Sequence, residues 1–375
     1  MTIKVLAFQK TEMSKELGSV LTEKLRDLRI DGVPEDMKVP EEDRPVEAEF
    51  ESIDLPLIDL SLMNSDRAGL VKKFREAAST WGIFRVTNHG VPSGLMKEVQ
   101  EEGLKFFLQS EEAKLKLLTR GKLGAGKGSY YTGNNIEEKR HSLHWAESYV
   151  MWFGQWCALD PTIIDRVTSE WKTADDRFRT AMSEYLTGVR AAAKQLSQLA
   201  SESLGLKTDF FSSPTVETGN IVIRWNYYPA CPLPDDVLGA HSHTDPTLLT
   251  VLQQDKVGGL QVERDGRWYN VKPVEDTFTV NISDQFHIWS NGIFKSVLHR
   301  VLVNKEVPRL SIASILSLTG SQSLCPPSEL IDENHPRVYK DMNAQEHSEV
   351  VIKSRSSGSD TKVFSGFNYF DTLKA

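Results

Sequence analysis

The chain has 375 residues, 39% hydrophobic and 26% charged, with a formal net charge of −8. This is an ordinary globular composition, long enough for one large domain or two modest ones. No apolar run approaches the roughly 20 residues that span a bilayer, and no basic block offers a footprint for nucleic acid. Residues 1–13 are too mixed for a signal peptide, and the acidic stretch after them argues against an organelle transit peptide. Cys157, Cys231 and Cys325 are odd in number and lack paired zinc spacing. They indicate a reduced compartment, the cytosol.

Residues 12–29 carry Leu17, Leu21, Leu25 and Leu28 at helical spacing. Pro34, Pro40 and Pro45 then break an acidic stretch into an extended connector. We take 1–52 as an N-terminal helix with its connector, and 53–375 as one domain. Residues 53–60 read as a strand. A helix begins near Ser65-Asp66, shows Leu70, Val71, Phe74, Ala77, Ala78 and Trp81 on one side, and stops at Gly82. Residues 83–87 read as a strand, and 92–109 and 175–204 as helices, the second closed by Gly205. The Lys/Glu-rich segment 110–120 reads as a solvated helix face.

From 219 to about 319 the pattern changes to short strands, among them 220–228, 247–253, 296–304 and 309–318. Asp265-Gly266 marks a hairpin turn between 260–262 and 268–271. Residues 354–360 read as a flexible loop and 363–370 as a last strand. Helices preceding a mainly β half imply a closed or sandwiched β core braced by N-terminal and central helices.

Within that half stand His243-Thr244-Asp245, then His299, then Arg309-Leu310-Ser311. Two imidazoles and one carboxylate are the ligand set of a mononuclear iron centre with open coordination positions. On a strand, residues i and i+2 share a face, so His243 and Asp245 project together. His241 falls in the same series and is a rival ligand on this reading. Arg309 can grip an acidic cosubstrate bidentately, and Ser311 adds a hydroxyl donor. The other histidines, His89, His141, His144, His287, His335 and His347, read as structural.

Residues 121–127 nearly spell a phosphate-binding loop. Gly128 stands where a magnesium-binding hydroxyl is needed and no helix opens there, so a loop over the pocket is the better reading. Trp145, Trp152 and Trp156 suit cavity lining or buried packing equally.

Beyond these residues, the chain resembles the plant iron(II)/2-oxoglutarate-dependent dioxygenases, the family of the flavonoid and gibberellin oxidases. The likeness is carried by IDLPLIDL at 53–60, WGIFRVTNHGV at 81–91, NYYP at 226–229, GGLQV at 258–262, NGIFKSVLHRV at 291–301 and PSELID at 327–332. It implies a double-stranded β-helix (jelly roll) with helices around it. It also implies Fe(II), with 2-oxoglutarate and O2 as cosubstrates and ascorbate as a supporting reductant. His243, Asp245 and His299 match the iron ligands, which favours His243 over His241. Arg309 and Ser311 match the residues that bind the far carboxylate of 2-oxoglutarate, with Asn226 and Tyr228 as further contacts.

Arg224 stands where some flavonoid oxidases have a basic residue facing the substrate. Tyr149, Met151, Ile315 and Ser317 complete the expected pocket. The implied reaction is hydroxylation or desaturation of a plant specialised metabolite, foremost a flavonoid such as a flavanone, of flavone synthase I or flavanone hydroxylase type. Gibberellins, alkaloids and benzoxazinoids are alternatives, and no protein, nucleic-acid or membrane partner is required. An ethylene-forming oxidase relative keeps the iron ligands without 2-oxoglutarate; Asn226, Tyr228, Arg309 and Ser311 favour the 2-oxoglutarate reading. A β-barrel binding protein with a vestigial metal site is the non-enzymatic alternative, and the intact triad argues against it. Two departures stand out: Ser283 where the family has glycine, and a poor match over 141–155.

Overall fold

A computed structural model describes residues 32–41, 44–45, 50–117, 127–132, 143–155, 161–169, 171, 174–356 and 367–375. The helix expected over 12–29 lies outside them, as do His141, Trp156 and Cys157. Along the chain the strands are β1 (Ser52–Ile53), β2 (Leu57–Asp59), β3 (Ile83–Thr87), β4 (Lys127–Thr132), β5 (Glu147–Gln155) and β6 (Asn220–Tyr228). They continue as β7 (Ala240–His243), β8 (Leu249–Gln254), β9 (Leu260–Arg264), β10 (Arg267–Val271), β11 (Phe278–Ile282), β12 (His299–Val301) and β13 (Arg309–Ser317).

One sheet has the spatial order β2-β3-β11-β8-β13-β6-β5-β4, and the other β1-β10-β9-β12-β7. The two sheets share an apolar layer that includes Ile83, Leu252, Ala313 and Tyr228 from the first and Leu260, Val262, Val271 and Val301 from the second. This is the jelly-roll sandwich, open at its edges rather than closed into a barrel.

Alternation on β6 shows how the sequence sets the faces. Ile221, Ile223 and Trp225 are fully buried against the helices, while Arg224 and Asn226 take the opposite, inter-sheet face. Burying each large apolar side chain contributes about 1.5–3 kcal/mol, against a range of ~1 kcal/mol for strand propensity. Burial, not propensity, therefore fixes the register.

The helices are α1 (Arg67–Glu76), α2 (Ser93–Phe107), α3 (Glu111–Leu115), α4 (Pro161–Thr168), α5 (Asp176–Ser203), α6 (Asp284–Trp289), α7 (Ala344–Ser356) and α8 (Phe367–Leu373). Helix α5 is capped by the Asp175 side chain, which accepts from Phe178 N at 2.8 Å. It buries Phe178, Met182, Tyr185, Val189, Ala193, Leu196 and Ala200 at three- and four-residue spacing and packs on α1 and α2. A Cβ on Gly103 of α2 would stand 2.4 Å from Trp225 Cδ1, so glycine lets this helix lie on the sheet.

The predicted hairpin at Asp265-Gly266 is present, both residues at positive φ (53° and 77°). Other expectations change. The run 296–304 forms only the three-residue β12. Of the expected strand over 363–370, residues 363–366 lie outside the described residues and 367–370 are contradicted by α8, in which Phe370 packs on His287 and Tyr339 and Leu373 is buried at helical spacing. Aromatic content had mimicked strand propensity there. Helix α7 runs to Ser356, into the expected loop.

The segment read as solvated carries Lys114, which is fully buried against Glu147 of β5. The proline-rich connector is also packed: Val33 and Met37 join the inter-sheet layer, and Val39 packs with Leu238 and Leu302.

Candidate metal and cosubstrate site

Strands β7 and β12 pair antiparallel with His243 opposite His299, their ring centroids 4.2 Å apart. His243 Nδ1 lies 2.7 Å from the His241 carbonyl oxygen, and His299 Nδ1 lies 3.2 Å from that of Val297. A carbonyl only accepts, so each Nδ1 carries the proton and each Nε2 presents a lone pair. Both Nε2 atoms stand 3.6 Å from Asp245 Oδ1, and the three donor atoms lie within 4.8 Å of one another. Two neutral imidazoles and a carboxylate converging in this way fit a ferrous ion and leave further positions open.

The i, i+2 argument for Asp245 holds only in part, because β7 ends at His243. Asp245 is placed by its neighbours: Asn281 Nδ2 donates to its Oδ2 at 3.3 Å, and Asp284 N donates to its carbonyl at 2.9 Å. That leaves Oδ1 for the imidazoles. Burial would raise the Asp245 carboxyl, but positive charge on the His299 and His243 rings when these are protonated, with the Asn281 hydrogen bond, holds it below its ordinary value in the metal-free site.

The rival His241 lies outside the donor cluster. Its ring packs 4.8 Å from that of His144, and its backbone N–H donates to His144 Nε2. Ser283 has φ −112°, ordinary extended backbone, so the turn there does not need glycine.

Directly opposite residues on paired strands share a face. Arg309 is opposite Tyr228, Ser311 opposite Asn226, and Ala313 opposite Arg224, so these residues form adjoining rows facing the second sheet. Arg309 is 2% exposed. Its Nη2 donates to Gln254 Oε1 at 2.9 Å, Nη1 to Ser311 Oγ at 3.4 Å, and Cζ sits 5.0 Å from the Tyr228 ring. Gly259 has φ +99°, and a Cβ there would stand 2.7 Å from Leu302 O, so glycine is needed where the backbone passes beside Arg309.

Arg224 Nη2 donates to Ser148 Oγ at 3.1 Å, and Ser148 Oγ to Asn226 Oδ1 at 3.0 Å. Ile315 lies on the same face, opposite Val222 and Thr250, and Ser317 ends the row series opposite Asn220.

Tyr149 and Met151 were expected in the pocket, and the structure places them elsewhere. They pair with Trp225 and Ile223 and are fully buried on the helix side, Tyr149 with its ring 4.5 Å from Phe106. The inter-sheet positions of β5 belong to Ser148, Val150 and the candidate Trp152, which pairs with Val222. No strand had been assigned to that segment, so its parity could not be read. Trp145 is core, its Nε1 donating to Pro229 O at 3.0 Å. Sequence reasoning also missed Gln254, Asn281 and Asp284. Strand parity with β13 and β11 could have found the first two; only the folded chain brings Asp284 in.

The sequence pattern of the 2OG-Fe(II) oxygenase superfamily matches residues 220–317, and that of the "non-haem dioxygenase in morphine synthesis N-terminal" matches 55–155. The chain belongs to the plant 2-oxoglutarate-dependent dioxygenases. Protein DMR6-LIKE OXYGENASE 2 of Arabidopsis thaliana is 35% identical over 325 residues, 85% of this chain and 90% of the relative. Gibberellin 20 oxidase 1-A of Triticum aestivum is 32% identical, covering 82% of this chain and 84% of its own length.

Among solved structures, JOX2 in complex with 2OG, Fe and JA aligns over 94% of this chain and 97% of its own, at TM-score 0.78 and 28% identity. AtDAO1, a dioxygenase for auxin oxidation from Arabidopsis thaliana in complex with 2-oxoglutarate, aligns over 76% of this chain and 100% of its own, at TM-score 0.64 and 33% identity. Dioxygenases of this family use Fe(II), 2-oxoglutarate and O2. No helix among the described residues is long and apolar enough to cross a membrane.

Proposed function

We propose that this dioxygenase oxidises a C–H bond of a plant specialised metabolite that presents an acidic oxygen to Arg224. In this reading His243, Asp245 and His299 hold Fe(II), and Arg309 and Ser311, with Tyr228 and Asn226, hold 2-oxoglutarate. Iron, O2 and decarboxylation of the oxo acid supply the oxidising power. The protein's residues orient the two substrates, shield them from water and fix which C–H faces the metal. No side chain has to move a proton in that step.

The observation that carries the reading is the shared inter-sheet face. It presents the buried guanidinium of Arg309 at one end and a second, half-buried guanidinium at Arg224, two rows away. In this reading one cation serves the cosubstrate, and the other contacts the metabolite. Val222, Val150 and Ile315 supply apolar walls beside Arg224, which suits a flavanone-type phenol. A small carboxylic acid is the second reading, favoured by the bidentate match between a guanidinium and a carboxylate and by relatives named for gibberellin and auxin oxidation. Ile315 and Ser317 remain in the proposed pocket; Tyr149 and Met151 do not. The enzyme acts alone in the cytosol, with ascorbate sustaining turnover.

The test is succinate release and product mass with Fe(II), 2-oxoglutarate and ascorbate, over flavanones, gibberellins, other small acids, alkaloids and benzoxazinoids. Flavanone-dependent succinate is the expected result. Oxidation of acids alone moves the assignment to the second reading, and an Arg224→Gln variant with unchanged substrate KM overturns the role of Arg224.

A further inference from the structure

We propose that Gln254 is a positioning residue for the cosubstrate: its neutral side-chain oxygen orients the Arg309 guanidinium without cancelling its charge. The proposal rests on the assignment of Arg309 to 2-oxoglutarate.

Gln254 ends β8, opposite Ser311 on β13, so its side chain shares the face of Arg309. Its Oε1 accepts from Arg309 Nη2 at 2.9 Å, and its Nε2 donates to Thr279 Oγ1 at 3.2 Å. A guanidinium only donates, so the amide must present oxygen to it. The Thr279 contact then holds the amide in that orientation from the other end.

A buried arginine is usually matched by a carboxylate, and one is present in the next residue. Asp255 is diverted. Its Oδ2 accepts from Leu310 N at 2.5 Å and its Oδ1 from Val257 N at 3.0 Å. Among the described residues it makes no ion pair with Arg309 within 4 Å; burial raises its carboxyl, and the Arg309 charge nearby opposes that rise only in part. The acid is thus tied to backbone N–H groups, and the amide takes the place beside the guanidinium.

The two other groups in direct contact with the guanidinium are also uncharged: the Tyr228 ring below it and Ser311 Oγ beside it. Arg309 Nε is buried and has no hydrogen-bond partner among the described residues. The guanidinium is therefore fixed in place with its positive charge available for an incoming carboxylate. A carboxylate at position 254 would pair with Nη2 and also repel that ligand at short range.

The test is calorimetric titration of 2-oxoglutarate into the Mn(II)-loaded protein, for the natural sequence and for Gln254→Glu, Gln254→Met and Arg309→Gln, alongside steady-state kinetics. Gln254→Glu is expected to weaken 2-oxoglutarate binding roughly tenfold or more, and Gln254→Met by about two- to fivefold. Both should raise KM for 2-oxoglutarate while kcat at saturation and KM for the primary substrate stay near their original values.

Gln254→Glu binding as tightly as the natural protein, while Arg309→Gln loses affinity, overturns the proposal and leaves the Arg309 assignment standing. Normal binding by Arg309→Gln overturns both. A loss of kcat in Gln254→Met without a change in 2-oxoglutarate affinity marks Gln254 as structural only, and also overturns the proposal.

Discussion

Asp284 accepts a hydrogen bond at 3.1 Å from Thr244, the residue that separates His243 from Asp245. Its other oxygen accepts from Ser296 Oγ at 2.6 Å, three residues before His299, and its N–H donates to the Asp245 carbonyl. One carboxylate, 1% exposed, thus ties both arms of the donor set together. Groups that orient metal ligands typically contribute 10- to 100-fold in affinity. Asp284→Ala is therefore expected to lower Fe(II) affinity by about that factor, with Asp284→Asn intermediate. Competition against a chelator measures it, and unchanged affinity would remove Asp284 from this role.

Removing a donor should be more severe. His243→Ala and His299→Ala are expected to lose bound metal and to reduce succinate formation by at least about 100-fold. The chain should still fold, because the apolar layers lie elsewhere. Elemental analysis of the purified variants with a circular dichroism spectrum separates metal loss from unfolding. His241→Ala serves as the contrast: full metal content there supports the choice of His243, and metal loss argues for the rival.

Lys114 Nζ donates to Glu147 Oε2 and to Phe107 O, each at 2.8 Å, and Tyr130 donates to the same Glu147 oxygen at 2.8 Å. Burial and the neighbouring Glu147 push the Tyr130 phenol far above its usual range, so it remains a donor. This cluster joins α3 and β4 to β5, one residue from the Ser148 that contacts Arg224. Lys114→Met removes the cation beside this buried carboxylate and should cost about 3–5 kcal/mol. Adding Glu147→Leu should recover most of that loss. Urea unfolding of both variants gives the comparison, and equal stabilities would mean the pair is not coupled.

His287 connects α6 to the C-terminal segment. Its Nδ1 donates to Phe294 O at 2.5 Å, so its Nε2 accepts from the Tyr339 hydroxyl at 2.7 Å. Burial lowers its pKa below the ordinary 6.5, against the raising effect of Phe294. His89, its ring tilted against that of Phe278 with centroids 4.2 Å apart, is lowered by burial in the same way.

A histidine with a depressed folded pKa binds fewer protons in the native state than in the unfolded one. Stability is then complete above the unfolded value and falls as pH drops below it toward the native value. The denaturation midpoint should decline below about pH 6.5, and His287→Gln should flatten the decline. A profile with the same slope in that variant would assign the acid sensitivity to other groups.

Much of the site was legible because its chemistry is concentrated in short motifs. The His243-Thr-Asp245 and Arg309-Leu-Ser311 pairs each lie within one turn or one strand, and Asp265-Gly266 announced its hairpin through positive-φ preference. Tyr149 and Met151 failed for a definite reason: a two-residue alternation assigns faces only after pairing sets the parity. Lys114 looked solvated because a local window contains its charge but not Glu147. The run at 363–370 looked like a strand because aromatic residues favour strands and buried helices alike.

The amino-acid order by itself determined the available donors, the guanidinium proposed for the dicarboxylate, and a helical layer ahead of a β core, since residue type and near spacing carry that information. Tertiary structure alone decided that His243 meets His299 across β7 and β12, that Asn281 and Asp284 orient Asp245, and that Gln254 rather than Asp255 faces Arg309. Those relations arise from pairing between strands far apart in sequence, where packing of the two faces selects one register.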